Sequence, residues 1–304
     1  MTSLVVAAEQ DGCRLDALIQ GVDCTELGPL SQKKARLLAS IGAAAVDGVR
    51  TEDGKQRLRT GSTVTFAAEH AALSLDLGIP VVFADDDVLV LQKPPGLAVH
   101  KGPLVEESVA DALQRELPYA GLAHRLDRDA SGLLLIGRRK TALSFLGTAM
   151  EQGRIDRQYL AIVHGDFAGD ERTIDLALRV SDEPDGSKPK TFVDPNGQRS
   201  VSHVTVVDRR AEATLVRVRL ETGRTHQIRA HLAAVGHPLL GDERYGDRNA
   251  NDKAKATFGT RRTLLHGERL TFPQPTSGAM IEAVAAHEVD FVRMFPKLRT
   301  RPVR

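Results

Sequence analysis

Residues 124–135 read His124-Arg125-Leu126-Asp127-Arg128-Asp129-Ala130-Ser131-Gly132-Leu133-Leu134-Leu135, a charged half running without a break into an apolar one. The apolar half, extended to Gly137, is uniform enough for a strand buried on both faces. At least one carboxylate and one guanidinium therefore sit at a strand end, beside buried surface. A carboxylate there is desolvated and needs a cation to stay ionised. Asp127 is the candidate nucleophile or base. A turn aspartate that merely caps a loop would have the same spacing.

A second dense stretch is Glu221-Thr222-Gly223-Arg224-Thr225-His226-Gln227-Ile228-Arg229-Ala230-His231-Leu232. Gly223 allows a close backbone approach. The spacing predicts a helix from Thr225 to Val235, stopped at Gly236, on which His226 and Arg229 share a face. A helix start with an arginine suits an anion, either a phosphate or a catalytic aspartate. An ion-pair helix on the surface is the alternative. His226, His231, His237 and His266 cluster in sequence, but ligand pairs on a helix stand at i and i+4, and no Cys or Glu completes a set, so no metal site is expected. Asp127-Arg128-Asp129-Ala130-Ser131 also fits D-x-D-x-[ST] of haloacid-dehalogenase-type phosphotransferases. Those carry the apolar strand before the motif, whereas here it follows. GxxxxGK[ST], GxGxxG and GxSxG are all absent.

Around these stretches the chain has 304 residues, room for about two domains. With 41% apolar and 27% charged residues it has an ordinary globular balance, so collagenous and disordered classes are excluded. No apolar run approaches the roughly 20 residues that cross a bilayer. The start, MTSLVVAAEQDG, lacks a basic region and a long apolar stretch, so no secretory signal is expected. Cys13 and Cys24 read as free cytosolic thiols. The net charge is only +1, so any nucleic-acid surface must be local. Residues 124–140 carry 5 Lys/Arg against 2 Asp/Glu, 217–231 carry 4 against 1, and 293–304 carry 5 against none. The last of these reads as a solvated tail.

A small first domain is expected over 1–72. It would hold a helix from Arg14, a helix Gln32–Ser40 capped by Ser31, a hairpin turning at Asp47-Gly48 and a strand near 63–67. Residues 69–78 read as a linker. A second domain, 79–304, opens with strands 79–84 and 88–92, then helical spacing over 108–116. Strands follow at 159–164, 201–207 and 214–220. Polar stretches 181–200 and 246–262 read as surface excursions.

These segments together resemble the RluA-type family of RNA pseudouridine synthases. His124-Arg125-Leu126-Asp127 with Ser131-Gly132-Leu133-Leu134-Leu135 is similar to its HRLDxxTSGLLL signature, with Ala130 for Thr. Asp85 to His100, Arg157 to Gly165, Thr222 to Leu232 with Gly236 to Asp242 and Tyr245 to Arg248, and Leu264-Leu265-His266 resemble its other blocks in order. The resemblance implies an α+β fold: a long mixed, mostly antiparallel sheet with flanking helices and an RNA cleft across its middle. It implies catalytic roles for Asp127, Tyr159 and Arg229, with Arg229 pairing to Asp127 and Tyr159 against the target ring. It implies substrate contacts from Arg125, which would enter the helix the base leaves, and from Arg224, His226, Gln227 and Leu265. No cofactor or metal is implied, because the isomerisation loses no atoms.

The first domain resembles the S-four RNA-binding domain, through Arg14-Leu15-Asp16, Ser31 with Lys33, Lys34 and Arg36, Val46-Asp47-Gly48 and Leu58 to Ser62. It is nevertheless acidic, with 8 Lys/Arg against 10 Asp/Glu over 1–79. The tandem arrangement and Tyr245-Gly246-Asp247-Arg248 resemble the RluC/RluD-like branch. The expected partner is thus large-subunit ribosomal RNA, with tRNA as the alternative substrate. The expected protein is a cytoplasmic monomer. A catalytically silent RNA chaperone or assembly factor is a further alternative, opposed by the joint presence of Asp127, Tyr159 and Arg229.

Overall fold

The computed structural model of the chain describes residues 2–24, 28–29, 35, 44–51, 53–66, 79–102, 105, 107–181 and 190–300. Near the start, β1 (Thr2–Val5), β2 (Ala44–Val46), β3 (Val49–Thr51) and β4 (Thr63–Phe66) form an antiparallel sheet in the order β1-β4-β2-β3. The β2–β3 turn places Asp47 at φ 51° and Gly48 at φ 77°, as the twist of a two-residue hairpin requires. Helix α1 (Leu15–Gln20) turns Leu15, Leu18 and Ile19 onto Val46, Val64 and Phe66 of the sheet. The helix expected over Gln32–Ser40, with its basic residues, and the linker 69–78 lie outside the described residues, apart from helical, buried Ala35.

From Ile79 a ten-stranded sheet takes over. Its main path is β9 (Glu171–Asp175), β10 (Val201–Arg210), β11 (Ala213–Leu220), β8 (Asp156–His164), β12 (Leu265–Pro273), β7 (Ser131–Gly137), β6 (Val88–Lys93) and β5 (Val81–Ala84). Every neighbouring pair on this path is antiparallel except β7 with β12. The sheet is therefore mixed and mostly antiparallel, as expected.

Both faces are covered. Leu134 and Ile136 of β7 pack with Val109, Ala112 and Leu113 of helix α2 (Val109–Glu116) and with Ile228 and Leu232 of helix α4 (Gln227–Ala234). Leu133 and Leu135 face the other way, onto Leu146 and Ala149 of helix α3 (Lys140–Glu151). A strand buried on both faces shows no alternation, which explains the unbroken apolar run. Where β7 meets β12, Gly132 pairs with Gly267. Gly132 has φ +113°, and a Cβ there would lie 2.3 Å from Gly267 backbone atoms. Only glycine allows this approach, and it holds the Asp127 loop at the centre of the sheet.

Three sequence expectations change. Helix α4 begins at Gln227, not Thr225, because His226 takes a left-handed conformation that ends regular winding before it. The stretch 246–262, expected as a surface excursion, contains helix α5 (Arg248–Phe258), capped by the Asp247 side chain on Ala250 N–H. Its two buried residues, Ala250 and Ala254, are too small to mark an apolar stripe. The described part of the basic stretch also packs, although its Arg293 and Lys297 stay exposed. Met294, at the end of helix α6 (Val289–Met294), and Phe295 are buried, and Leu298 packs beside them. In 181–200, Leu178–Val180 and Thr191–Val193 pair as a hairpin, and its tip, 182–189, lies outside the described residues.

Behind the sheet, buried Glu268 accepts hydrogen bonds from Arg217 Nε (2.8 Å) and Nη2 (3.1 Å) and meets His287 Nε2 at 3.3 Å. Burial pushes its carboxyl up, but His287 and Arg217 outweigh that and hold it down to about 2, against an ordinary 4.5. A depressed folded-state pKa gives stability that is complete above 4.5 and lost as pH falls toward 2. The urea midpoint is expected to fall through that window, by an amount equivalent to about 3 kcal/mol from this group. Glu268→Gln should flatten that part of the pH dependence while lowering the midpoint at pH 7. An unchanged slope in the variant would assign the acid sensitivity elsewhere.

Candidate active site

The loop after the two-residue strand Gly121–Leu122 carries Asp127 to within reach of α4. Backbone bonds close the loop: Ala130 N–H donates to Asp127 O (3.2 Å) and Gly96 N–H to Arg128 O (2.9 Å). The fully buried Lys93 ammonium donates to Pro94 O, Leu97 O and Arg128 O at 2.8–3.0 Å, tying two loops together. Burial lowers its pKa to about 7 against the pull of Asp129 and Asp127.

Arg229, in the first turn of α4, reaches Asp127. Its Nη1 donates to Asp127 Oδ2 at 2.8 Å. Its other edge is held by a second carboxylate: Nε to Asp242 Oδ2 at 2.7 Å and Nη2 to Asp242 Oδ1 at 2.9 Å. Asp242 is wholly buried and also accepts Arg244 N–H and Tyr245 N–H. Burial alone would lower the pKa of Arg229, but Asp242 and then Asp127 outweigh it and raise it. Burial would raise that of Asp242, and the Arg229 fork outweighs it and holds the carboxyl low. Arg229 and Asp242 are therefore both charged, and the pair holds the guanidinium edge that faces Asp127.

His226 stands on the other side of Asp127, its Nε2 3.8 Å from Oδ1. Its φ of 53° is an uncommon conformation for a side chain of this size. The ring is held from behind by Tyr245, whose hydroxyl lies 3.0 Å from His226 Nδ1 and accepts Thr191 N–H at 2.8 Å. Tyr245 also lies against Arg229, with 4.9 Å between the guanidinium carbon and the ring centroid. Burial pushes the His226 pKa down, overcoming Asp127, so the ring is neutral at pH 7.

These groups open on a cleft of about 250 Å³ that includes Leu126, Tyr159, Leu265 and Ile228 as apolar lining. That lies just under the size at which drug-sized ligand sites begin, room for a single ring-sized group. Tyr159 is 6% exposed, and burial raises its pKa, so the phenol stays protonated. Arg125 and Arg224 reach solvent at the same cleft. The structure thus gathers Asp127, Arg229, His226, Tyr159, Leu265, Arg125 and Arg224 from distant parts of the sequence. Gln227 differs from its expected role. Its Oε1 accepts from Thr222 Oγ1 and Arg224 N–H, and its Nε2 donates to Val201 O and Ser202 Oγ. With all four hydrogen-bonding positions filled internally, it shapes the loop rather than offering a polar atom to a substrate.

A family model described as RNA pseudouridylate synthase matches residues 87–234. The chain is 35% identical over 222 residues to the ribosomal large subunit pseudouridine synthase C of Vibrio cholerae, covering 72% of this chain and 69% of that one. It is 31% identical to the synthase C of Escherichia coli K12, over 97% of this chain and 96% of the relative. The synthase D of Haemophilus ducreyi is also 31% identical, over 97% and 94%. The chain belongs to the RNA pseudouridine synthase family. Human RNA pseudouridylate synthase domain containing 4 shares the fold, with a TM-score of 0.59 at 22% identity over 72% of this chain and 92% of that one.

Two groups of this synthase's site carry little mark in the sequence. Asp242 follows Gly241 and precedes Glu243 and Arg244, and nothing local identifies it as a partner of Arg229, thirteen residues earlier. The one signal is chemical: a buried guanidinium has five N–H donors, and Asp127 alone leaves most of them unmatched. Tyr245 stands out only as part of a motif.

Among the described residues no three potential ligands cluster as a metal site, and no helix is long and apolar enough to cross a membrane. Asp242→Asn keeps the shape but strands part of the Arg229 charge. Removing one partner of a buried pair costs about 3–5 kcal/mol. The expected result is a lowered melting temperature and a single-turnover rate reduced about 100-fold, with RNA affinity changed less than tenfold. A wild-type rate would show that Asp127 does not depend on the fork.

Proposed function

We propose that this synthase converts specific uridines of large-subunit ribosomal RNA to pseudouridine, with Asp127 as the group that acts on the flipped nucleotide. One observation carries the assignment: among the described residues Asp127 is the single carboxylate that lines the cleft, and Arg229 joins it to the deeply buried Asp242. The relatives named as ribosomal large subunit synthases match the chain nearly end to end, which supports the choice of RNA.

The reaction breaks the C1′–N1 bond, turns the uracil and rejoins it through C5, with a proton leaving C5 and one gained at N1. A paired base must first leave its helix, which costs a few kcal/mol. Arg125, at the cleft mouth, fills the vacated space and offsets part of that cost. Tyr159 and Leu265 sandwich the ring. Arg224 takes a backbone phosphate, and His226 sets the position of the Asp127 carboxylate from its second side. Arg229, donating to Asp127 Oδ2 at 2.8 Å, aims the carboxylate at the nucleotide.

The proposed division is an RNA-binding domain over 1–72 and a catalytic domain over 79–304. The separate sheets and cores on either side of residues 67–78 support it. The protein acts as a monomer in the cytoplasm, where it meets its RNA.

Asp127→Asn should abolish isomerisation while RNA binding persists. Asp129, which accepts a hydrogen bond from neighbouring Arg128 at the surface, should tolerate the same change with a rate within about threefold of wild type. Pseudouridine mapping of total RNA from cells with and without the gene identifies the site. A missing pseudouridine only in tRNA would redirect the substrate assignment. Deleting 1–72 should leave a folded, active remainder whose RNA binding has a shallower salt dependence, by about one unit of slope for each phosphate the first domain had neutralised.

A further inference from the structure

Arg157 is a buried cation without a counter-ion among the described residues. It lies on β8 two residues before Tyr159, so both side chains leave the same face of the strand. It is 9% exposed and lines the cleft. Among the described residues its Nε has no hydrogen-bond partner and it forms no ion pair. Arg229, by contrast, is held by two carboxylates. A guanidinium this deeply buried, with a dry Nε and no counter-ion, is costly, and such groups are kept where a ligand supplies the missing charge.

Its surroundings agree with that. The positive charge of Arg157 adds to burial in lowering the His124 pKa to about 4, so His124 adds no charge of its own. Gly223 leaves room for the guanidinium: a Cβ there would lie 2.4 Å from Arg157 Nη1. The φ of Gly223 is ordinary, so a side chain here would disturb the guanidinium and not the backbone. Asp127, the carboxylate facing the cleft, already has Arg229 at 2.8 Å.

We infer that Arg157 and the Gly223 notch form an anion site for the target nucleotide, in which the guanidinium binds an oxygen that carries or gains negative charge. This rests on the cleft being the uridine site. The oxygen has two possible sources. When the C1′–N1 bond breaks, its electron pair stays on the base and is shared with uracil O2 and O4. A backbone phosphate carries the same charge throughout. The depth of Arg157 beside Tyr159 favours the base, since Arg224 already stands nearer solvent for a phosphate.

Single-turnover rates at saturating enzyme, RNA affinity against salt, and thermal melting are to be measured for Arg157→Gln, Arg157→Lys and Gly223→Ala, with Asp127→Asn in parallel. If the base is the ligand, Arg157→Gln loses about 100-fold in the saturated rate, as removal of one preorganised donor does in other enzymes, with affinity intact. If a phosphate is the ligand, the saturated rate holds, affinity drops about tenfold and the salt slope falls by about one unit. Arg157→Lys should recover part of either effect, and Gly223→Ala, which displaces the guanidinium without removing it, should reproduce part. Should Arg157→Gln fail to fold, the other two variants decide. Folded variants with wild-type rate and affinity would overturn the inference, leaving Arg157 a packing residue. An active Asp127→Asn would instead overturn the reading of the cleft itself.

Discussion

One guanidinium joins three parts of the chain. Arg229 comes from helix α4, Asp127 from the loop before β7, and Asp242 from the turn after α4. The arrangement forces an order on its surroundings. Asp242 must be dry and rigid, so its oxygens are fixed by two backbone N–H groups as well as by Arg229. The turn that carries it needs Gly241, at φ +74° and with Arg262 O 1.9 Å from where a Cβ would be. Asp127 must remain partly accessible, and it keeps 20% of its side-chain exposure while Asp242 keeps none. Two carboxylates of the same chemical type thus differ by position alone. The buried one holds the cation, and the exposed one faces the cleft.

The sheet supplies the stiffness this needs. Strands buried on both faces cannot slip by a residue without driving apolar side chains into the wrong layer. The Gly132–Gly267 crossing fixes where the Asp127 loop leaves the sheet, and Lys93, donating to carbonyls of both adjoining loops, fixes its height. On the far side, Tyr245 joins His226, Arg229 and the Leu178–Val193 hairpin. The short hairpin alone would have little stability. Its anchor at Thr191 therefore ties the hairpin to the residues beside Asp127.

Charge follows the same division. The chain as a whole is nearly neutral, and the first segment is acidic, yet the cleft gathers Arg125, Arg157, Arg224 and Arg229 around one facing carboxylate. Of these four, among the described residues only Arg229 is neutralised by protein carboxylates. Local excess, not net charge, is what attracts a polyanion.

Much of this is legible in the residues. The apolar run 132–137 announces a buried strand, and Asp47-Gly48 announces its hairpin. Asp127 stands out because its own neighbours along the chain, charge on one side and buried strand on the other, create the conflict that a cation must resolve. Arg229 is marked by a helix start beside a glycine. What sequence does not disclose are relations between residues distant along the chain or hidden by small size. Asp242 opens the charged triplet Asp242-Glu243-Arg244, which gives no local sign that its partner is Arg229. Arg157 resembles the polar start of any strand, and Gln227 any helix residue. Ala250 and Ala254 are too small to reveal α5 in a polar stretch. Local pattern reports which face of an element is apolar, because periodicity acts over a few residues. Which charge meets which depends on how the sheet closes, and only the tertiary structure decides that.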